Sequence, residues 1–598
     1  MCGFLAWFKI DSSKRMNPNL FKESLKVQEK RGPDSTNFVY GNDFSLGHNR
    51  LTILDNDDRS NQPFSKDQIS FLLYNGEIYN LNKLRKLIKC RGIELITTSD
   101  TEILYELLVN FGIDESLKLI EGMFAFVFYN DITKEVIAAK DKFGQKPLFI
   151  FEDSKDLIFS SSLNSIKILK PMLQINIQVL KNYIYTQGHT IPSQTFFKNI
   201  NSLNAGHYLK FNNKERNQHR YFNIESLVGN KYIDISETDA IKEASSILSC
   251  SVKEHLNADC KVGALVSGGI DSMLIHSFIK DNFENVTSFT KISKDIEKIP
   301  NLVLEKGLVD EDFLVRSINP TKKDYLSRLV DYIEFGGRPA PWGGGPPMMD
   351  LCRKARSLGF KVLLSGDCID EFSAGYIPSM LSLENFSGNY EIPDHLCNMK
   401  YVVEESPFLD FQKSLRERIR SNMKMSENNL LNYFRLNACQ NIEFHLQETN
   451  LPHSDTFSMF ESIELRNPYL NTSFVEMMLN IDLDLIYNYW NNKSKTGKYL
   501  LKKIAQRKYG KNLDDQYYLN KEGTRNYSYF VSNKVYWNFA NFSCLSILNG
   551  ESFNFNDWKV IFNLVNLEIF IKIFSYGHSK DYLLNEILSD QGKYELLS

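Results

Sequence analysis

An apolar strand, Val262 to Val266, runs into Ser267-Gly268-Gly269-Ile270-Asp271-Ser272 and straight on into an amphipathic helix. Few local structures suit that order. Two consecutive glycines let a backbone curl closely around an anion, the serines add hydroxyl donors, and the helix start offers unsatisfied N–H groups and the positive end of a dipole. The segment is a phosphate cradle by its physics. It is not a Walker A loop, because no Lys-Ser or Lys-Thr follows, and it lacks GxGxxG spacing. A Gly-Gly turn before a helix can also be merely structural, but the complete strand, SGGIDS turn and helix form a far more specific arrangement.

About a hundred residues on, KVLLSGDCIDEFSAGY (Lys361 to Tyr376) repeats the strand-then-turn logic and adds Asp367, Asp370 and Glu371. Carboxylates clustered at a strand end repel one another unless a cation sits among them, and hard oxygen ligands suit Mg²⁺. The alternative is a set of solvated loop carboxylates.

At the other end of the chain stands Met1-Cys2-Gly3. Removal of Met1 would put a thiol and a free α-amine on one residue, a nucleophile with its own proton acceptor. Without context such a cysteine is incidental. The strand FLLYNGEIYN from Phe71 carries Asn75-Gly76, a pair that alone reads as a hairpin turn. Phe124 to Tyr129, Glu135 to Lys140 and Pro147 to Phe151 are rich in β-branched and aromatic residues, while Asn82 to Lys89 is helix-like. An α+β layered domain is expected there. The run Asn212 to Arg220 is polar and suits a linker, and Ile235 to Leu256 has helical periodicity.

The chain's 598 residues call for two or three domains, and 42% hydrophobic with 24% charged residues is ordinary globular composition. A formal net charge of -3 gives no electrostatic reason to expect nucleic acid or a membrane as partner. No apolar run reaches about 18 residues. Nine scattered cysteines without a CxxC pair argue against a disulfide framework or a zinc site, which makes the reducing cytoplasm the expected location.

Taken in order, Cys2-Gly3, RGPDS (Arg31 to Ser35), HNRLTILD (His48 to Asp55), YNGEIYN (Tyr74 to Asn80), SDTE (Ser99 to Glu102) and KDKFGQKPLF (Lys140 to Phe149) resemble the class II glutamine amidotransferase domain of asparagine synthetases. The resemblance implies an N-terminal-nucleophile hydrolase sandwich, with two antiparallel sheets between helices. It also implies that Cys2 attacks the glutamine side-chain amide and that Asn75 and the Gly76 N–H form an oxyanion hole. Arg50 would hold the glutamine α-carboxylate, with Glu77 and Asp100 around its α-amine. Taken singly, Arg50 and Asp100 read as surface salt-bridge residues.

The SGGIDS segment resembles the PP-loop of N-type ATP pyrophosphatases, and Ser365 to Glu371 the SGxGxDE motif of asparagine synthetases. This implies an α/β domain with a parallel sheet that binds ATP through Leu265, Ser267, Gly268, Gly269, Asp271, Ser272, Ser365 and Gly366. It further implies that Asp271 and Asp370 hold Mg²⁺ and that Asp367 and Glu371 lie near the acceptor or intermediate. Ser454 to Asn471 resembles a D-x-x-SM-x-x-x-x-E-x-R-x-PFLD element, with Tyr469 and Asn471 in place of Phe and Asp. Lys498, in KYLLKK, becomes the candidate catalytic cation, although a lysine in so Lys-rich a chain is usually solvated.

Two departures stand out. FSSSL (Phe159 to Leu163) replaces a FASE-like segment, so altered contacts between domains are expected there. Arg338, in EFGGRPAPWGGGPP, stands where many relatives carry an acidic residue before proline, so it could grip a carboxylate and the acceptor need not be aspartate.

The expected organisation is a glutaminase domain at 1–211, a linker at 212–234, an ATP-dependent synthetase domain at 235–530 and a helical extension at 531–598 packed on the synthetase domain. The apolar and aromatic tail suits helix docking or a homodimer contact. The expected activity is glutamine- and ATP-dependent amidation of a small carboxylate. The rivals are an intramolecular amide former of the β-lactam synthetase or lasso-cyclase type, which needs no glutamine site, and a non-catalytic binding protein that retains the fold.

Overall fold

The computed structural model describes residues 2–10, 16–292, 309–390, 407–487, 497–509, 544 and 558–586, less positions 187, 213, 214, 230, 233, 319 and 389. The first half is a four-layer sandwich. One sheet runs in the order β2 (Ser35–Tyr40), β3 (Phe44–Arg50), β1 (Gly3–Lys9), β8 (Asp156–Ser160), β7 (Phe149–Glu152), β9 (Ile200–Ser202). The other runs β11 (Arg216–Arg220), β10 (His207–Phe211), β6 (Glu135–Lys140), β5 (Gly122–Asn130), β4 (Ser70–Ile78). All their pairings are antiparallel.

Side chains alternate across a strand, so each strand feeds two layers. Phe4, Ala6 and Phe8 meet Leu73, Ala125 and Val127 between the sheets. Leu5 and Trp7 face the helices on one outer side, while Leu72, Phe124 and Phe126 face Leu104 and Leu107 of the helix Asp100–Leu119 on the other. Burial on both faces is why FAFVFY is apolar throughout instead of alternating.

Two features differ from the sequence expectation. Asn75-Gly76 makes no turn; both residues lie inside β4, paired with Ala125 and Phe124. A Cβ on Gly76 would stand 2.2 Å from the Met123 carbonyl oxygen, so glycine is needed for close strand approach. The polar run expected to be linker supplies β11, an exposed edge strand paired with β10. Polar and basic side chains on a sheet edge also discourage pairing with another chain.

The second half holds a five-stranded parallel sheet in the order β14 (Leu314–Ile318), β13 (Ser288–Ile292), β12 (Lys261–Leu265), β15 (Phe360–Leu364), β16 (Glu464–Arg466). From β12 the chain builds outward to β13 and β14, then returns to place β15 on the other side. The crevice at the carboxyl ends of β12 and β15 is therefore the topological switch point, where open α/β sheets bind ligands.

The apolar tail segment forms the helix Trp558–Phe574, and the rest of the tail beyond residue 586 lies outside the described residues. This helix does not pack on the second half alone. Phe570 and Phe574 pack tilted and edge-on against Phe196 and Phe197 of the first half, while the Ala340 N–H donates to Asn566 Oδ1 at 3.1 Å from the second. Among the described residues, no helix is long and apolar enough to cross a membrane.

Candidate functional sites

Cys2 lies at the start of β1, where the two antiparallel sheets face each other, and it is only 8% exposed. Its N–H donates to Asn75 Oδ1 at 2.9 Å, which leaves Asn75 Nδ2 buried without a hydrogen-bond partner among the described residues. A buried amide donor with nothing to bind costs about 1–3 kcal/mol, so this one is set for a ligand acceptor. Burial pushes the Cys2 thiol up, opposed by a backbone N–H at Leu51 and the Arg50 charge.

Arg50, at the end of β3, is gripped from behind. Its guanidinium donates to the carbonyls of Leu54 (3.2 Å), Asp55 and Asp57 (3.2 Å), and to Asn61 Oδ1 at 2.9 Å. Such anchoring uses four of the five N–H directions and fixes the position of the positive charge. Asp100 begins its helix under a Ser99 cap, and its Oδ2 accepts from the Tyr74 hydroxyl at 2.8 Å and the Ile78 N–H at 3.3 Å. Burial raises both Asp100 and Glu77, and the Asp100 charge raises Glu77 further. Glu77 Oε1 is buried without a hydrogen-bond partner among the described residues. Cys2, Arg50, Asn75, Glu77 and Asp100 thus come together, with Gly76 beside them in β4.

The second site occupies the switch point. After Leu265 the chain turns through Gly268 at φ 77°, and Gly269 caps the helix Ile270–Lys280. The Ser267 N–H donates to Ser272 Oγ at 3.1 Å, and Ser272 Oγ donates to the Gly269 carbonyl at 3.1 Å, which closes the loop on itself. Ser365 and Gly366 follow β15, and a Cβ on Gly366 would stand 2.4 Å from Ser272 N. The two loops are in backbone contact, which only glycine permits.

Lys498 completes this site. Its ammonium sits 2.6 Å from Asp271 Oδ2 and also pairs with Asp370 Oδ1. Burial pulls its pKa down, yet the two carboxylates hold it above its ordinary value. The approach depends on Gly375, whose Cβ would meet Asp370 Oδ1 at 1.8 Å, and on Gly497, whose Cβ would meet the Ala374 carbonyl at 1.9 Å. Lys498 itself adopts φ 61°, as Cys368 (74°) and Ala374 (51°) do nearby. Positive φ at three non-glycine residues concentrates strain beside one another, a frequent property of ligand sites.

Asp367 faces solvent and accepts from Ser365 Oγ at 2.6 Å. Glu371 is buried, accepts from the Tyr376 hydroxyl at 2.9 Å and Asn450 Nδ2 at 2.5 Å, and is pushed by burial to about 7. Asp271 and Asp370 converge as a pair able to hold Mg²⁺, which binds through one or two carboxylates plus phosphate oxygens. Among the described residues, no group of three or more His, Cys, Asp or Glu side chains forms a larger metal cage.

The two departures near residue 470 have plain physical accounts. The Tyr469 hydroxyl donates to the Asp271 carbonyl at 3.0 Å, a bond phenylalanine cannot make. Asn471 caps the helix Thr472–Asn480 by accepting from the Ser473 and Phe474 N–H groups, a task asparagine performs as well as aspartate.

Arg338 stands elsewhere. It lines a cavity of about 80 Å³ between the halves, with Arg31, Lys140, Ser162, Glu448 and Asp455. Its Nη2 donates to the Glu448 carbonyl at 3.2 Å. FSSSL does lie at a contact between the halves, since Ser161, Ser162 and Leu163 line the same cavity. Sequence reasoning assigned no role to Arg31, Asp455, Glu464 or Arg466. Arg31 donates through Nε to the Cys2 carbonyl at 3.1 Å and pairs bidentately with Asp455 across the halves, at 2.8 and 3.1 Å.

The fold and site geometry define an amidotransferase-type sandwich joined to a parallel-sheet α/β domain. Residues 1–222 match the glutamine amidotransferase domain family, and residues 243–513 match the asparagine synthase family. The chain carries both domains and is a distant homologue of the glutamine-hydrolysing asparagine synthetases. It is 26% identical over 530 residues to asparagine synthetase [glutamine-hydrolyzing] 3 of Bacillus subtilis, covering 81% of this chain and 82% of that protein. It is 27% identical over 445 residues to amidase chyE of Penicillium rubens, covering 69% and 63% respectively.

Proposed function

We propose that this protein is a glutamine-dependent, ATP-consuming amide synthetase with two active sites. The observation that carries the reading is Asn75: one side-chain atom holds the Cys2 N–H, and the other is a buried donor with no acceptor among the described residues. With Met1 removed, Cys2 Sγ attacks the glutamine side-chain carbonyl while its own amine takes the thiol proton. Asn75 Nδ2 and the Gly76 N–H meet the oxyanion, a contribution of about 3–4 kcal/mol per donor in comparable sites. Ammonia leaves with that proton, and water releases glutamate from the thioester.

In the second site ATP and an acceptor carboxylate give an acyl-adenylate and pyrophosphate. Ammonia then displaces AMP to form the amide. Leu265, Ser267, Gly268, Gly269, Ser272, Ser365 and Gly366 would cradle the nucleotide, and Lys498 would meet charge on phosphate and acyl oxygens. Asp271 and Asp370 would hold Mg²⁺, which neutralises pyrophosphate charge. Ammonia would pass through the cavity between the halves: Arg31 at one side touches the Cys2 carbonyl, and on the other Glu448 lies two residues from Asn450, which binds Glu371.

The resemblance to a fungal amidase supports a second reading, an acceptor other than aspartate such as a sugar acid or a biosynthetic intermediate. An intramolecular amide former would need no glutamine site, and the convergent Cys2, Arg50, Asn75 and Asp100 speak against it. Every described cysteine is a free thiol, which suits a cytoplasmic location.

The test is pyrophosphate release with ATP and glutamine, screened over aspartate, other amino acids and uronic acids. One acid should elicit glutamate, AMP and pyrophosphate in equal amounts. ADP with orthophosphate, or no acid-dependent release, would refute the reading. Because burial raises Glu77 and Asp100, they take up protons at higher pH than free carboxylates and then cannot pair with an α-ammonium. The KM for glutamine should accordingly climb as pH falls, beginning above the usual carboxylate range near 4. Glutamate release measured between pH 4.5 and 8 would show it, and a flat KM would contradict this role of the pair.

A further inference from the structure

The ATP half reaches into the glutamine site through one short strand. In β16, Glu464 and Arg466 are both 0% exposed. Arg466 donates through Nε to Glu464 Oε1 at 2.7 Å, and through Nη1 to the carbonyls of His255 at 2.6 Å and Asn257 at 2.8 Å. All three partners belong to the second half. The remaining nitrogen, Nη2, lies 3.2 Å from Glu77 Oε2 in the first half.

A guanidinium is a planar, rigid fork, so binding three of its five N–H directions fixes the other two. Its face also lies over the Tyr79 ring, 6.0 Å from the centroid, and Tyr79 stacks on His255 at 3.8 Å. The position of Nη2 is thus set largely by the second half, and its charge meets Glu77 as an ion pair without hydrogen-bond alignment. The Arg466 carbonyl, meanwhile, accepts the Ser365 N–H at 2.9 Å, at the start of the loop that packs on the SGGIDS turn. One residue touches the glutamine site with its side chain and the nucleotide site with its backbone.

We infer that Arg466 is a positioning residue for glutamine recognition, supplied by the ATP half. Its charge opposes protonation of Glu77 beside Asp100 and pairs with Oε2, which leaves Oε1, buried and unpartnered among the described residues, for the substrate α-ammonium. The first site is therefore complete only when β16 is seated against it. Arg31 and Asp455 brace the same seam on the Cys2 side. This assignment rests on the glutaminase reading proposed above.

The test uses full-length Arg466→Met, Arg466→Lys and Glu464→Gln, with glutamate release measured against glutamine concentration. Arg466→Met should raise the KM for glutamine by roughly ten- to a hundredfold, with kcat changed by less than about threefold. Arg466→Lys, which keeps the charge and loses the fork, should recover only part of the loss, and Glu464→Gln, which leaves a weaker neutral acceptor for Nε, should raise KM in the same direction by a smaller factor. Alkylation of Cys2 by iodoacetamide, which has no α-amine, should keep its unmodified rate in both Arg466 variants.

An unchanged KM in an active Arg466→Met would overturn the assignment. So would kcat and alkylation rate falling together with affinity, which would mark a merely structural role. If Arg466→Met does not fold, an unchanged KM in Glu464→Gln overturns it instead. Failure of the unmodified chain to release glutamate would bring down the glutaminase reading itself, a separate and visible outcome.

Discussion

Cys2→Ala abolishes glutamate release, with a loss on the order of 10⁴-fold or more, and leaves acid-dependent pyrophosphate release intact when ammonium salts supply nitrogen. The size follows from the chemistry: without sulfur there is no thioester, and the donors that remain can stabilise only a slow attack by water. The fold should survive, because a methyl group fits where a small buried thiol sat and β1 keeps its pairing with β3 from Gly3 onward. Parallel assays of glutamate and pyrophosphate, with glutamine or ammonium as donor, check both halves of the prediction. Residual glutamate release near the unmodified rate would show that the nucleophile lies elsewhere.

Lys498→Met should lower acid-dependent pyrophosphate release by about 10²- to 10³-fold, the range seen when one charge-stabilising group is lost from a transition state. Its structural effect should be nearly as large. Asp271 and Asp370 converge on that ammonium, and removing it leaves two like charges facing each other in a site closed by Gly375 and Gly497. Breaking a buried ion pair in this way costs about 3–5 kcal/mol.

Urea unfolding of Lys498→Met beside the unmodified protein should show a loss of that size. A midpoint equal to that of the unmodified protein would mean that the carboxylates are not held by this lysine.

Much of the architecture could be read from local patterns. The apolar stretch before SGGIDS, the helix after it and the aromatic strands of the first half follow from periodicity and turn chemistry, and the structure has them all. Partnership between distant strands is another matter. Asn75-Gly76 favours a turn by local preference, but pairing with Phe124 and Ala125 overrides that preference and uses the missing side chain for close approach. The edge strand Arg216–Arg220 was hidden because an exposed edge has no buried face, hence no alternating pattern.

In the candidate sites, motif order was enough to bring Cys2, Arg50, Glu77 and Asp100 together, and likewise Asp271, Asp370 and Lys498. Arg466 was in view as the arginine of its E-x-R element, but its role was not. Nothing in a buried arginine's own neighbourhood announces that its partner is a glutamate almost four hundred positions earlier. Arg31 and Asp455 were hidden in the same way. Such groups are found only when the two halves are seen against each other.

The helix Trp558–Phe574 has a bearing on biosynthesis. It packs on Phe196 and Phe197 on one side and accepts a hydrogen bond from the Ala340 amide on the other, yet it leaves the ribosome long after both. Domains generally fold in the order they are made. The nascent sandwich must therefore wait with those phenylalanines uncovered, a window in which chaperones have something to hold and from which final assembly can proceed only once translation has passed the helix.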